Sequence, residues 1–284
     1  YKTMIGKNNT SQGMLANEKK KLIVPLQFWF CKNIGLALPL VALQYHEVKV
    51  YVDLRPFNEC WKKTVKRYYV EVDSSNQQQL NIISGGTGDL NSTFLEDDVF
   101  DGQKLIWEED GKEETVSSRV DSDTIQMRSN SVAGRTGYMY LLIDEPDKNY
   151  DLDDIRIYCD YIYLDTNERK YFAQNSHVYL IEQVQYNGNT SYNMAQESNK
   201  IPIEFNHPCK ELFWVSQIDL CKTFNNHINF SNSVDEDESD HPINDVVLYI
   251  NGHERFEQRS ANHFRFEIPY KRHTRIPNNY IYVY

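Results

Sequence analysis

The stretch from Lys21 to Arg55, KLIVPLQFWFCKNIGLALPLVALQYHEVKVYVDLR, constrains the fold more than any other part of the chain. It opens with Leu22, Ile23, Val24, Leu26, Phe28, Trp29 and Phe30, apolar on both faces of an expected strand. Its middle, Gly35 to Leu43, is small and apolar. Pro39 limits any helix there to a short one, since proline lacks an N–H donor and clashes with the preceding turn. The end alternates: Val48, Val50, Val52 and Leu54 fall on one face, and Glu47, Lys49, Tyr51, Asp53 and Arg55 on the other. That period of two predicts a strand with one buried and one wetter face. Taken as residues alone, the stretch is core structure of a β domain and holds no constellation that would do chemistry.

The rest of the chain extends this pattern. Val65 to Asp73, Tyr138 to Asp144, Ile155 to Leu164, Val178 to Gln185, Val246 to Asn251, Phe264 to Ile268 and Tyr280 to Tyr284 are expected strands, with IRIYCDYIYL (155–164) apolar on both faces and therefore central. Ile203 to Gln217 is expected as strand, proline-containing turn and strand, and Asn187-Gly188 and Asn251-Gly252 as turns. A short helix is expected at NERKYFAQ, capped by Asp165 or Thr166, with Glu168 in its first turn. The 20 tyrosines favour strands. About thirteen strand-like segments with short turns suit packed antiparallel sheets such as jelly rolls.

Three zones stand apart. Residues 1–20 are polar and expected as loop. Residues 74–135, with SSNQQQ, SGGTG, LEDD, EEDGKEE and VDSD, are expected as a long acidic, loop-rich surface insertion. Its short strand candidates are Leu105 to Trp107 and Thr124 to Arg128. Phe224 to Asp245 is expected as a loop carrying the acidic run Asp235 to Asp240.

With 284 residues the chain can hold two domains. A net charge of −11 argues against general nucleic-acid binding, which needs clustered cations. The basic spots Lys62 to Arg67 and Lys271 to Arg275 are too short to reverse that. The five cysteines (Cys31, Cys60, Cys159, Cys209, Cys221) show no paired spacing and are expected as buried thiols in a reducing compartment. There is no signal-peptide pattern and no apolar run long enough to span a membrane.

Motifs for chemistry are weak. His46-Glu47 begins like HExxH, but Val50 stands where the second histidine belongs. Ser84 to Gly88 is glycine-rich with no Lys-Ser/Thr after it, which makes it a flexible turn rather than a phosphate cradle. His207, His253, His263 and His273 are expected as ordinary strand and loop histidines. Asp151 to Asp154 and Asp235 to Asp240 lack calcium-loop spacing, and no GxSxG elbow appears. Glycosylation triplets occur at Asn8, Asn9, Asn91, Asn189 and Asn229, of which Asn91, Asn189 and Asn229 are kept as candidate sites. No catalytic residue, metal ligand or cofactor is expected.

PLQFWFCKNIGLALPLVALQYHEVKV resembles a segment of the major capsid proteins of the nucleocytoplasmic large double-stranded DNA viruses, carried by Phe28 to Asn33, Leu36 to Pro39 and Leu43 to Val48. IYCDYIYLDTNERKYFAQNSHVYLIEQVQ (157–185), NHPCKELFWVSQ (206–217) and residues 251–284, with Pro269-Tyr270, His273-Thr274 and Ile276-Pro277, resemble later segments of the same family in the same order. The resemblance implies an all-β double jelly roll: 1–165 as the late part of a first roll, including the 74–135 insertion, and 166–284 as the second. The first roll is then incomplete in this chain and the end of the second truncated. It further implies a structural, non-enzymatic protein that forms homotrimers, each a six-lobed capsomer of an icosahedral shell. Its partners are then its own copies, neighbouring capsomers, and minor capsid and penton proteins. The resemblance also implies an inner viral membrane nearby without insertion into it, no direct contact with nucleic acid, and a place in a virion assembled in host cytoplasm. The alternatives left open by the residues are a carbohydrate-binding, lectin-like jelly roll and a cupin-like enzyme with strand histidines around a metal.

Overall fold

A computed structural model describes residues 23–56, 59–60, 63–83, 90, 99, 101–143, 154–193, 196–234 and 240–284. The chain divides into two compact units, each made of two separate stretches: Tyr1–Val52 with Arg156–His207, and Asp53–Ile155 with Pro208–Tyr284. Strands predominate and helices are few and short.

The second unit holds a closed six-stranded barrel. Its strands are β1 (Thr64–Val72), β2 (Gln79–Ile82), β3 (Lys104–Trp107), β4 (Glu113–Arg119), β5 (Thr124–Met127) and β6 (Thr136–Ile143), closed in the order β1-β2-β5-β4-β3-β6 with every pairing antiparallel. Closure leaves no unpaired sheet edge. Alternation decides what goes inside: Tyr68, Val70 and Val72 of β1 meet Leu80, Leu105, Trp107, Val116, Ile125, Met127, Met139 and Leu141 in one buried cluster. The intervening residues of β3 and β6 are also buried. Ile106, Tyr140 and Leu142 form a second cluster with Cys221, Phe224 and Val234. Burial on both faces explains why LIW and YMYLLI read as continuous apolar runs.

The 74–135 expectation is corrected here, because four of the six barrel strands lie within it. What reads as loop composition is turn chemistry between strands too short to show a period. The Asp73 carboxylate accepts hydrogen bonds from the Ser75 and Asn76 backbone N–H groups, 2.7 and 2.8 Å away, after β1. Gly111, at φ +69°, turns β3 into β4, and the Asp123 N–H donates to Asp121 between β4 and β5. The SGGTG motif lies outside the described residues, as do residues 1–22, 144–153 and the acidic run 235–239.

Beyond the barrel, β7 (Phe213–Trp214) pairs with β12 (Tyr282–Val283), extended by reciprocal Leu212 and Tyr284 backbone bonds of 2.7 and 2.8 Å. Between them come α2 (Asp219–Thr223), β8 (Asp245–Val246), β9 (Tyr249–Ile250), β10 (His253–Glu254) and β11 (Arg259–Ser260). Asn251 and Gly252, both at positive φ, make the β9–β10 hairpin turn that their dipeptide predicts. Phe264 to Ile268 is corrected from strand to a π-helical turn (His263–Glu267) running into α3 (Ile268–Arg272). Phe264 and Ile268 are four apart and share a helix face as readily as a strand face, and Pro269 suits a first helical turn. A third core cluster joins Ala261, Phe264 and Tyr282 to Trp214, Ile243, Val246, Phe256, Tyr280 and Tyr284.

Among its described residues the first unit has two 3-10 turns, Trp29–Cys31 and Ile34–Leu36, and one helix, α1 (Thr166–Gln174). The helix starts as its sequence predicts: Asp165 accepts from the Glu168 N–H at 2.8 Å, and the Glu168 side chain accepts from the Asp165 N–H in return. The strands expected over 23–30, 47–55, 155–164 and 178–185 do not appear; these stretches carry no strand pairing. Alternation records which face a strand would bury. It does not supply the neighbouring strand, and among the described residues none lies beside them. Of the 203–217 pattern only β7 forms. Four of the five thiols, expected buried, are exposed, and Cys221 alone is buried. Among the described residues no helix is long and apolar enough to cross a membrane.

Candidate assembly surface

The first unit is built almost entirely from surface. None of its described residues is buried, although its sequence is the most β-like in the chain. Val178 and Leu180 are 94 and 89% exposed; Val48, Val50 and Val52, expected on a buried face, are exposed as well, as are Ile157, Tyr158 and Tyr161. Large apolar side chains recurring every second residue and left in water form a surface that gains free energy by being covered.

Beyond its helix and turns, this unit is held together by side chains. Trp29 packs on Tyr179 with ring centroids 5.8 Å apart, and the Tyr179 hydroxyl donates to the Ala37 carbonyl at 3.4 Å. Lys32 pairs with Glu182 at 2.8 Å, both about half exposed, which limits the pair to at most about 1 kcal/mol. Phe172 stacks on His177 at the end of α1.

Two amide side chains hold the 202–206 stretch. Gln185 donates from Nε2 to the Asn206 carbonyl (2.8 Å) and accepts from its N–H (3.0 Å). Asn187 donates to the Pro202 carbonyl (2.8 Å) and accepts from the Glu204 N–H (3.0 Å). Each amide presents one donor and one acceptor, as a peptide unit would, so the pair imitates one edge of a β ladder. Sequence reasoning missed this. The available signal was two amides spaced by two, Gln185 and Asn187, the second of them the first residue of the Asn187-Gly188 turn.

The barrel carries the strongest polar constellation. Arg67 donates from two nitrogens to one Glu108 oxygen (3.2 and 2.9 Å), the Tyr140 hydroxyl donates to the other (3.0 Å), and the Arg67 guanidinium lies 4.2 Å over the Tyr138 ring. Arg135 lies 4.0 Å over Trp107 and reaches Asp110 at 2.9 Å. The Lys112 N–H and Arg135 hold the Asp110 carboxyl below its ordinary range, as the Ser75 hydroxyl and the Asn76 and Ser75 N–H groups do for Asp73. These pairings brace the barrel.

The remaining candidates are scattered. Asn229 is buried: its amide donates to the Ser233 carbonyl (2.8 Å) and accepts from the Ser231 N–H (3.0 Å) and hydroxyl (2.7 Å). Asn189 is exposed and accepts a hydrogen bond from the Tyr186 hydroxyl. Asn8, Asn9 and Asn91 lie outside the described residues. His46 and Glu47 are exposed, with Glu47 paired to Lys49. His263 pairs with Glu267 and His273 with Glu211, and His207 and His253 are exposed. Among the described residues no three His, Cys, Asp or Glu side chains converge to hold a metal.

Comparison with known proteins gives this surface its context. Residues 1–85 match the family described as the major capsid protein N-terminus, and residues 168–284 the large eukaryotic DNA virus major capsid protein family. Together the two matches span well over half of the chain. Barrel strands β3 to β6 lie between them. The major capsid protein of Pyramimonas orientalis virus is 31% identical over 280 residues, covering 98% of this chain and 45% of that protein. That of Chrysochromulina ericina virus is 36% identical over 198 residues, covering 70% and 23%. The probable capsid protein 4 of Acanthamoeba polyphaga mimivirus is 29% identical, covering 94% and 56%. The chain therefore spans about half the length of these relatives, or less. No solved structure matches it. The two family matches and the similarity across 98% of the chain agree that it belongs to the major capsid protein family of large eukaryotic DNA viruses.

Proposed function

We propose that this chain is a structural part of a viral shell, working through the surfaces it offers to other β layers and to its own copies rather than through catalysis. The observation that carries the reading is the first unit, whose alternating apolar residues remain in water. Burying a side chain such as Val178 or Leu180 would contribute roughly 1.5–3 kcal/mol each. A few such positions along each stretch are enough to drive sheet packing.

In this reading the whole protein is a double jelly roll divided near residue 165. The family matches to 1–85 and 168–284, one on each side of that point, support the division. Three copies form a six-lobed capsomer, the barrel within 64–143 crowns its outer face, and neighbouring capsomers, minor capsid and penton proteins complete the shell over an inner membrane. Assembly takes place in host cytoplasm, without direct nucleic-acid contact. Of the glycosylation candidates, exposed Asn189 is the accessible one among the described residues.

The test is the purified full-length protein, examined by native mass measurement and electron microscopy. A trimer with six lobes is expected, with each subunit contact above about 1,000 Å². A persistent monomer that binds glycans would instead favour a lectin-like module, and a persistent monomer of any kind overturns the assembly reading.

A further inference from the structure

The third core cluster closes around a histidine that no motif singled out. His241 lies between the π-helical turn and the last strand. Its Nδ1 is 3.1 Å from the Tyr282 hydroxyl, and its Nε2 is 3.4 Å from an Arg265 terminal nitrogen. Arg265 is a donor only, so Nε2 must accept, and the ring proton therefore sits on Nδ1 and is donated to Tyr282. This arrangement requires neutral imidazole. Arg265 is itself enclosed: it lies 3.7 Å over the Tyr280 ring and 4.8 Å over Phe266, donates to the Asn278 carbonyl at 3.0 Å, and has a buried Nε with no hydrogen-bond partner. The His241 ring meets Tyr280 edge-on, with centroids 5.1 Å apart.

We propose that His241, Arg265 and Tyr282 form a proton-sensitive latch that holds the 278–284 segment against the Trp214 core and releases it on mild acidification. Protonated His241 has no acceptor for Arg265 and places a second cation 3.4 Å from the first. Among the described residues, the groups facing His241 are Arg265 and the Asn262 amide from the π-helical end, Asp240 from its own loop, and the phenols of Tyr280 and Tyr282 from the 278–284 segment. Burial and the Arg265 charge push the imidazole below its ordinary range, and Asp240 and Asn262 oppose them only in part.

The sign follows. A histidine whose folded value lies below its unfolded value of 6.5 contributes stability in full above that value, and the contribution is lost as pH falls below it towards the folded one. The element bonded to His241 is β12, through Tyr282; it is two residues long and tied only to β7 and the Leu212–Tyr284 pair, so the loss is read there.

Hydrogen exchange on the full-length protein tests this between about pH 7.5 and about pH 5.5, either side of the ordinary imidazole range, with intrinsic rates divided out. Opening at Tyr282 to Tyr284 should rise several-fold on acidification while barrel amides in β1 and β6 stay protected. His241→Gln can still donate and accept but does not titrate, and should abolish the rise. Arg265→Gln removes the opposing cation and should shrink it. It also serves as the deciding variant where His241→Gln fails to fold. No rise in the parent protein, an undiminished rise in folded His241→Gln, or an undiminished rise in Arg265→Gln overturns the latch.

Discussion

Phe224 is the rivet between the barrel and the segment that follows it, and removing its ring should separate the two. It is fully buried, lies edge-on to Tyr140 with centroids 5.4 Å apart, and shares its cluster with Ile106, Leu142, Cys221 and Val234. Its carbonyl also accepts from the Lys63 N–H at 2.9 Å, beside the start of β1. Phe224→Ala in a core costs roughly 3–5 kcal/mol, of which the aromatic pair accounts for about 0.5–1.5. Ile106 and Tyr140 are held by paired strands and cannot collapse into the gap, which argues for about 4 kcal/mol. That corresponds to an opening equilibrium raised about a thousandfold. The loss should be local, because Phe224 lies outside the barrel's interior cluster. Segment-resolved hydrogen exchange of the full-length protein is the assay. Amides of 218–234 should lose protection, whereas those of Tyr68, Val70 and Met139 keep it. Equal loss in both sets, or a change below about 1 kcal/mol, would refute the claim that the barrel interior is energetically separate from this contact.

Two further outcomes are expected. Asp165→Ala removes one half of the capping box, so α1 should lose about 1 kcal/mol and fray from Thr166, read as faster exchange confined to 166–174. The Asp73 carboxyl titrates below its ordinary 3.8, so its support of the β1–β2 turn is complete above that value and lost as pH falls through the lower folded one. An NMR titration should show Ser75 and Asn76 amide shifts that move with this acid step in the parent protein and stay still in Asp73→Asn.

Local signals were legible wherever a local cause decides the structure. Asp165 and Glu168 specify a helix start by themselves, and Asn251-Gly252 a hairpin turn. The alternation of Val65 to Asp73 and the apolar run of Tyr138 to Asp144 found β1 and β6 because both strands have partners within the chain. The same signals at Val48 to Leu54 and Val178 to Gln185 predicted strands that do not form, since pairing is a property of neighbours and not of a segment. The barrel was hidden for the opposite reason. Leu105 to Trp107 and Thr124 to Arg128 are legible as short strands, but Gln79–Ile82 is four residues long and the polar and glycine-rich residues around it outweigh it in any composition window. Nothing in the spacing of His241, Arg265 and Tyr282 links them; only the folded chain brings them together.

The barrel's first and last strands are direct neighbours, with Thr64 opposite Ile143. A module whose entrance and exit stand side by side can be exchanged, enlarged or deleted while its host sees an unchanged gap between two chain ends. Replacing residues 64–143 by a short glycine-serine bridge would span that gap, but it would remove β1 and β2 from the 1–85 family match and uncover Cys221, Phe224 and Val234. The same doorway is a natural place to graft a foreign domain.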